Sequence, residues 1–174
     1  IVAAPTARAG GIVPGMLMAL EEERHIEPET TVRALVVAGG IGSIIALSAN
    51  ISGAAGGCQN EVGVASSMGA AGVAYMMGGT THNAIQAAAL ALKNTLGLVC
   101  DPVGGLVEVP CVKRNALFAV HGLTAAQLAL AGVESVIPMD EIVEAMVRIG
   151  RALPRGLRET AEGGLPTTDT GRAV

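Results

Sequence analysis

Aromatic residues are almost missing from this 174-residue chain, which has no tryptophan, one tyrosine and one phenylalanine. That shortage excludes a core built on large rings. Ala, Val, Leu, Ile and Met must fill it instead, in a composition that is 51% hydrophobic with 24 glycines. Helices lined with such small residues are expected to pack at close range. Positive charge is also scarce, with 11 Lys and Arg against 15 Asp and Glu and a net charge of -4. No basic run is available to neutralise a phosphate backbone, so nucleic acid is not expected as a partner. Cysteine occurs only three times. An odd number, without a basic-then-apolar leader pattern at the start, points to free or metal-bound thiols in a reducing compartment, the cytoplasm.

What is present in quantity is uncharged chain. Ala34 to Asn60 and Val62 to Leu92 contain no Asp, Glu, Lys or Arg, and each is long enough to span a bilayer. Two features favour a buried soluble core over a membrane span. The interfacial aromatic belts are missing, and Gln59, Asn60, Ser66, Ser67, Thr80, Thr81, His82, Asn83 and Gln86 interrupt the runs. No membrane partner is therefore expected.

The patterning predicts an all-α fold, one compact multi-helix domain over residues 1–174 with Ala- and Gly-rich, nearly uncharged helices at its centre. Helices are expected from Pro14 to Arg24, from the "EPETT" segment through "VRALVVAGGIGSIIALSAN", and over "CQNEVGVASSMGAAGVAYMM" after a Gly-rich turn. A further helix opens at Thr80 or Thr81 and continues through "AIQAAALALKNTL", built on strong helix formers. Two more cover Val112 to Ala131 and the amphipathic "PMDEIVEAMVRIGRAL". Only "LVEVP" shows brief strand alternation, and the tail from Gly163 reads as polar turns.

Cys58, Cys100 and Cys111 are the first candidates for chemistry. Their spacing contains no CxxC pair and matches no zinc ribbon, so on spacing alone buried packing thiols are the simpler reading. Their surroundings argue the other way. Cys58 follows "SGAAGG" at an expected helix start, Cys111 follows Pro110 at another, and Cys100 adjoins Asp101-Pro102. Helix N-termini favour thiolates. Three thiolates leave a metal site one ligand short, to be completed by a histidine such as His82 or His121, or left open to substrate.

The segments "AAPT..AGGIVPG", "GAAGGCQNEVGVASSMGAAG", "GLVCDPVGGLVEVPCVKRN" and "IPMDEIVEAM" together resemble the α subunit, or α domain, of iron–sulfur-dependent L-serine dehydratase. The likeness runs through "ETAEGGLPTTDTG" near the end. It implies that Cys58, Cys100 and Cys111 each hold one iron of a [4Fe–4S] cluster whose fourth iron is open to the substrate. The implied reaction takes L-serine to pyruvate and ammonia. A Lewis-acidic iron would stabilise the departing hydroxide, while a base takes the α-proton.

The resemblance also implies a separate β subunit or β domain, a chain continuing N-terminally of Ile1, and an oligomeric assembly. The substrate would lie against Thr6, Gly10 and Gly11, with Ala7, Arg8 and Ala9 standing where the family usually has Asn, Gly or Ser. Asn60, Arg114 and Asn115 complete the candidate substrate-binding set, and Gln59 and Glu61 flank the first cysteine. His82 and His121 are the candidate bases within this chain, and the resemblance leaves the part outside it as the other place for the base. A related iron–sulfur L-cysteine desulfidase, eliminating sulfide from the same skeleton, is the nearest alternative chemistry. A non-catalytic helical membrane or assembly protein is the non-enzyme alternative. A pyridoxal-phosphate lyase is disfavoured, because the only lysines are Lys93 and Lys113 and no phosphate cradle is evident.

Overall fold

A computed structural model describes residues 3–174. Eight α-helices are found among them: α1 (Ile12–Arg24), α2 (Pro28–Ser48), α3 (Gly53–Gly56), α4 (Val62–Met76), α5 (Thr81–Lys93), α6 (Cys111–Leu130), α7 (Met139–Ala152) and α8 (Asp169–Ala173). No strand accompanies them among the described residues, and the only β-bridge is an isolated one between Cys100 and Arg158. The "LVEVP" alternation forms bends and a turn, because its apolar side chains have no neighbouring strand to pair with.

Helix α4 is the axis of the fold, and α1, α2, α5 and α6 pack around it. Every residue of α4 except Tyr75 is buried. Its sequence, "VGVASSMGAAGVAYM", explains how five helices crowd so closely. A Cβ on Gly72 would lie 3.1 Å from the Ala34 carbonyl oxygen and from Leu17, so the missing side chain sets how near α2 and α1 can come. The two serines do not waste their hydroxyls. Ser66 Oγ donates to the Phe118 carbonyl and Ser67 Oγ to that of Ala88, both at 2.9 Å, as buried polar groups require.

Helix α5 begins where its sequence asks it to. Thr80 accepts from the Asn83 N–H and Asn83 reciprocates, forming a capping box. It ends at Lys93, three residues short of the expected "NTL". The helix expected over Cys58 onward is split. Cys58–Asn60 forms a single 3-10 turn, and α4 starts only after Glu61. Helix α2 departs from the expectation of a wholly buried run. Val32, Leu35, Val36, Ile44 and Leu47 face outward along it. It is also the one described helix long and apolar enough to cross a membrane, by length and composition.

Candidate metal centre

The N-terminal end of α4 is the meeting point of five chain segments that are remote in sequence. Cys58 arrives on the 3-10 turn before α4. Cys100 arrives on an extended segment whose N–H donates to the Leu157 carbonyl at 2.9 Å, and whose carbonyl accepts from the Glu159 N–H at 2.7 Å. Cys111 is the first residue of α6. Between the last two, Gly104 and Gly105 turn the chain with φ of 60° and 71°. The N-terminal 3-10 turn Ala7–Ala9 closes over the same end.

All three cysteines are buried and free. The tightest grouping among the described residues is Cys58, Glu61 and Cys100, whose ligand atoms lie within 4.8 Å of one another. Cys111 sits outside this triad. The three thiols are not equivalent. Cys58 is drawn toward thiolate, chiefly by a hydrogen bond from Cys100 and further by the charge of Arg114, against the opposing effect of burial. Cys100 is held as a thiol by that same contact and by burial. Cys111 is also pushed up, by burial first and by the neighbouring Cys58. The helix start expected to favour its thiolate is outweighed, since desolvation penalises the charged form more than the first helical turn repays. Glu61 is likewise raised, with burial the largest cause, while the Gly53 N–H, Arg8 and Thr6 work against it.

Arg114 ties this end together. Its Nη1 donates to the Val99 carbonyl at 3.0 Å and reaches Cys58 Sγ at 3.6 Å, and its Nη2 pairs with Asp101 Oδ1 at 2.9 Å. The other Asp101 oxygen accepts from the Leu165 N–H at 3.0 Å. With Asp101 and Arg114 side chains only 5% and 16% exposed, removing one partner strands a buried charge. Asp101→Asn should therefore lower unfolding stability by about 3 kcal/mol. Denaturant unfolding of the metal-free variant checks this, and a change below about 1 kcal/mol, the ordinary worth of a surface pair, would show that the pair is not buried in solution.

The remaining candidates divide clearly. Asn115, one turn into α6, donates from Nδ2 to the Arg8 carbonyl at 2.9 Å and faces Gly11. Thr6 lies beside Glu61, and Gly10 closes the 3-10 turn by donating to the Ala7 carbonyl at 3.2 Å. These join the cysteine end. Asn60 does not turn toward it: its Nδ2 donates to the Asn50 carbonyl at 2.5 Å, bracing the chain around Gly56. Gln59 is likewise structural, donating to the Gly56 and Met146 carbonyls and accepting from the Gly97 N–H.

Neither histidine is brought to the cysteines. His82 opens α5 at the opposite end of α4, a helix about 22 Å long at 1.5 Å per residue, and pairs in the open with Glu134 at 3.0 Å. His121 lies ten residues along α6 from Cys111, about 15 Å away by the same rise, and its Nε2 contacts the Ala91 carbonyl at 2.9 Å. Residue type alone makes them candidates, and helix length places them too far off. Of Gln59, Asn60 and Glu61, only Glu61 joins the thiols, and Arg8, given no role of its own by the sequence, pairs with Glu159 at this end.

The family described as "Serine dehydratase alpha chain" matches residues 1–166. The chain is similar to the "Probable L-serine dehydratase, alpha chain" of Bacillus subtilis (strain 168), at 55% identity over all 174 residues and 58% of that protein's length. A protein of the same description from Latilactobacillus sakei is 50% identical, over the full chain and 83% of its own length. "L-serine dehydratase 2" of Escherichia coli (strain K12) is 43% identical over 95% of this chain, which spans 37% of it. The chain thus covers less than two thirds of the length of several relatives, among them the B. subtilis protein, and the likeness includes every segment that builds the cysteine end. With the matched region running from the N-terminal turn through the Cys100–Arg158 bridge, the chain belongs to the serine dehydratase alpha-chain family.

Proposed function

We propose that the chain is the catalytic α part of an L-serine dehydratase, converting L-serine to pyruvate and ammonia. What supports this reading is the buried pairing of Cys58 with Cys100 at one end of α4, with Cys111 close enough to feel the Cys58 charge, in a chain of this family.

The donor set suits a [4Fe–4S] cluster. Three thiols are available without a disulfide, one already leans to thiolate, and the Arg114 guanidinium stands by to offset the negative charge of thiolate ligands. Cys58, Cys100 and Cys111 would hold it, and an incompletely ligated iron would supply Lewis acidity toward the substrate hydroxyl. The chain's own residues do the rest. Asp101 fixes the Arg114 guanidinium, which in turn fixes the Val99 carbonyl and hence the approach of Cys100. Thr6, bonded to Glu61, and Asn115, bonded to the Arg8 carbonyl, would be the groups that orient the amino acid at this end. Glu61 is the nearest carboxyl to the thiols and takes precedence over His82 and His121 as the group that handles a proton there. The working enzyme includes a β component, assembles as an oligomer, and acts in the cytoplasm rather than in a membrane.

Side-by-side turnover of L-serine and L-cysteine by the anaerobically prepared enzyme, following pyruvate and sulfide separately, tests the assignment. Preferential pyruvate release from L-serine is expected. Sulfide release from L-cysteine in preference would transfer the chain to the desulfidase chemistry.

A further inference from the structure

Helix α2 carries two glycines that its own fold does not use. A Cβ on Gly42 would lie 2.8 Å from Met68, so α4 closes that position. At Gly39 and Gly40 a Cβ would meet nothing within 4 Å. Glycine inside a helix weakens it, and here no contact within the chain calls for the small residue.

The face that holds this gap is apolar on both sides of it. Val36 is 71% and Leu47 88% exposed, and Val32, Leu35 and Ile44 are each more than half exposed. Together the five present roughly 500 Å² of apolar surface, about the apolar share of one side of a standard protein–protein interface. No charged residue follows Arg33 along the helix. Ser43 keeps its hydroxyl bonded to the Gly39 carbonyl at 2.9 Å, so it can be covered without stranding a donor.

The order of these residues is self-complementary. Val32, Val36, Gly40, Ser43 and Leu47 form one exposed line at helical spacing, and the pattern is symmetric about the Gly39–Gly40 bond. Turned end to end, Val32 falls opposite Leu47, Val36 opposite Ser43, and Gly39 opposite Gly40. We propose that this face is a two-fold interface with a second copy of the chain, the two α2 helices running antiparallel and crossing at Gly39–Gly40. A two-fold contact is isologous, with each residue meeting the other's counterpart in both directions. The missing side chains bring the two axes close, and the large apolar residues close on either side of the crossing. The Glu29 end of one helix then reaches the Leu47–Asn50 end of the other, beside a groove also lined by Val147 and Arg151. There Glu29 meets an opposite charge. The proposal rests on the oligomeric part of the reading above and is independent of the reaction.

Light scattering of the purified chain at ~10 μM tests it, well above the dissociation constant of a micromolar or tighter dimer. Wild type should weigh as two chains. Val36→Lys places a charge in the apolar contact and Gly40→Leu fills the crossing. Each should raise the dissociation constant by roughly 100-fold or more. Helix content by circular dichroism should not change, because both positions are open in the single chain. Ser43→Glu should also dissociate on its own, and mixing it with Val36→Lys should restore a mixed dimer, since lysine faces glutamate in this register. A monomeric wild type would overturn the interface, as would a dimer indifferent to Val36→Lys and Gly40→Leu. Failure of the two charged variants to pair would overturn the antiparallel register. Monomeric wild type that binds phosphatidylcholine vesicles, with binding lost in Val36→Lys, would give the face to a membrane. A dimer replaced by a one-to-one complex when the β component is added, with Val36→Lys blocking that complex, would give the face to the β component. Either result would overturn the proposal. Pyruvate formation by the enzyme reconstituted with its β component separates this from the reaction. An active enzyme with a single α chain overturns the interface alone, and a dimer that forms no pyruvate overturns the reaction alone.

Discussion

Replacing Cys58 with alanine is expected to lower pyruvate formation from L-serine by about a thousandfold or more and to strip iron from the protein. The magnitude follows from the role proposed for the metal. Lewis-acid stabilisation of a leaving oxygen is worth several kcal/mol, and each 1.36 kcal/mol is tenfold in rate. Cys58 is the sharpest choice among the three thiols because it already favours the thiolate, with Cys100 and Arg114 arranged around it. Cys111, buried and pushed toward the thiol, must lose its proton on ligation, so iron uptake should become easier as pH rises. If the cysteines were only packing, Cys58→Ala would cost about 1 kcal/mol of stability and leave iron content untouched. Iron analysis and the pyruvate assay on the same preparation separate the two outcomes.

The second large effect concerns the residue that presents Cys58. Gly57 has φ of 83°, and a Cβ there would lie 2.6 Å from the Leu98 carbonyl oxygen and 2.8 Å from Leu153 Cδ1. Gly57→Ala should destabilise the chain by about 3 kcal/mol, combining the cost of a positive-φ, extended-ψ conformation that is essentially reserved for glycine with overpacking against a backbone atom. A loss of that size lowers Tm by roughly 6–12 °C for a domain of this length. The damage should also reach the site. The Leu98 carbonyl accepts the Gln59 N–H at 3.1 Å, so moving Leu98 displaces the turn that carries Cys58 and weakens iron binding. Gly78 is the built-in control. It shares the positive φ, at 82°, but a Cβ there meets nothing within 4 Å. Gly78→Ala should cost only the backbone term, about 1 kcal/mol. Equal losses at the two glycines would mean that the Leu98 contact is not what makes Gly57 necessary.

Much of this arrangement was readable in the chain itself. Helix α5 announces its start with Thr80 and Asn83 and its body with alanine and leucine. Helix α7 has the three-and-four spacing of Ile142, Val143 and Met146, all of which are buried. The all-α reading and the family followed from such local signals and from long cysteine-bearing segments. The finer arrangement of the site was not local. Arg8, Cys58, Cys100 and Glu159 meet through loops, where neither a 3.6-residue nor a two-residue period reports direction.

Some misses had a usable signal. A 3-10 turn sends successive side chains about 120° apart, so Gln59, Asn60 and Glu61 cannot all face the cysteines, and only Glu61 does. The distance of His121 from Cys111 could likewise have been counted along one helix. The outward face of α2 had a different cause. Its Val, Leu and Ile residues encircle the helix, so burial on one side leaves apolar residues on the other. No periodicity in the sequence distinguishes the two sides.

The most direct test of the central claim is anaerobic reconstitution with iron and sulfide, followed by iron counting and a pyruvate assay with and without the β component, before and after exposure to air. The account predicts about four irons per chain, activity that needs the β component, and loss of both iron and activity in air as the incompletely ligated iron departs. Full activity in an aerobically prepared, iron-free protein would contradict it.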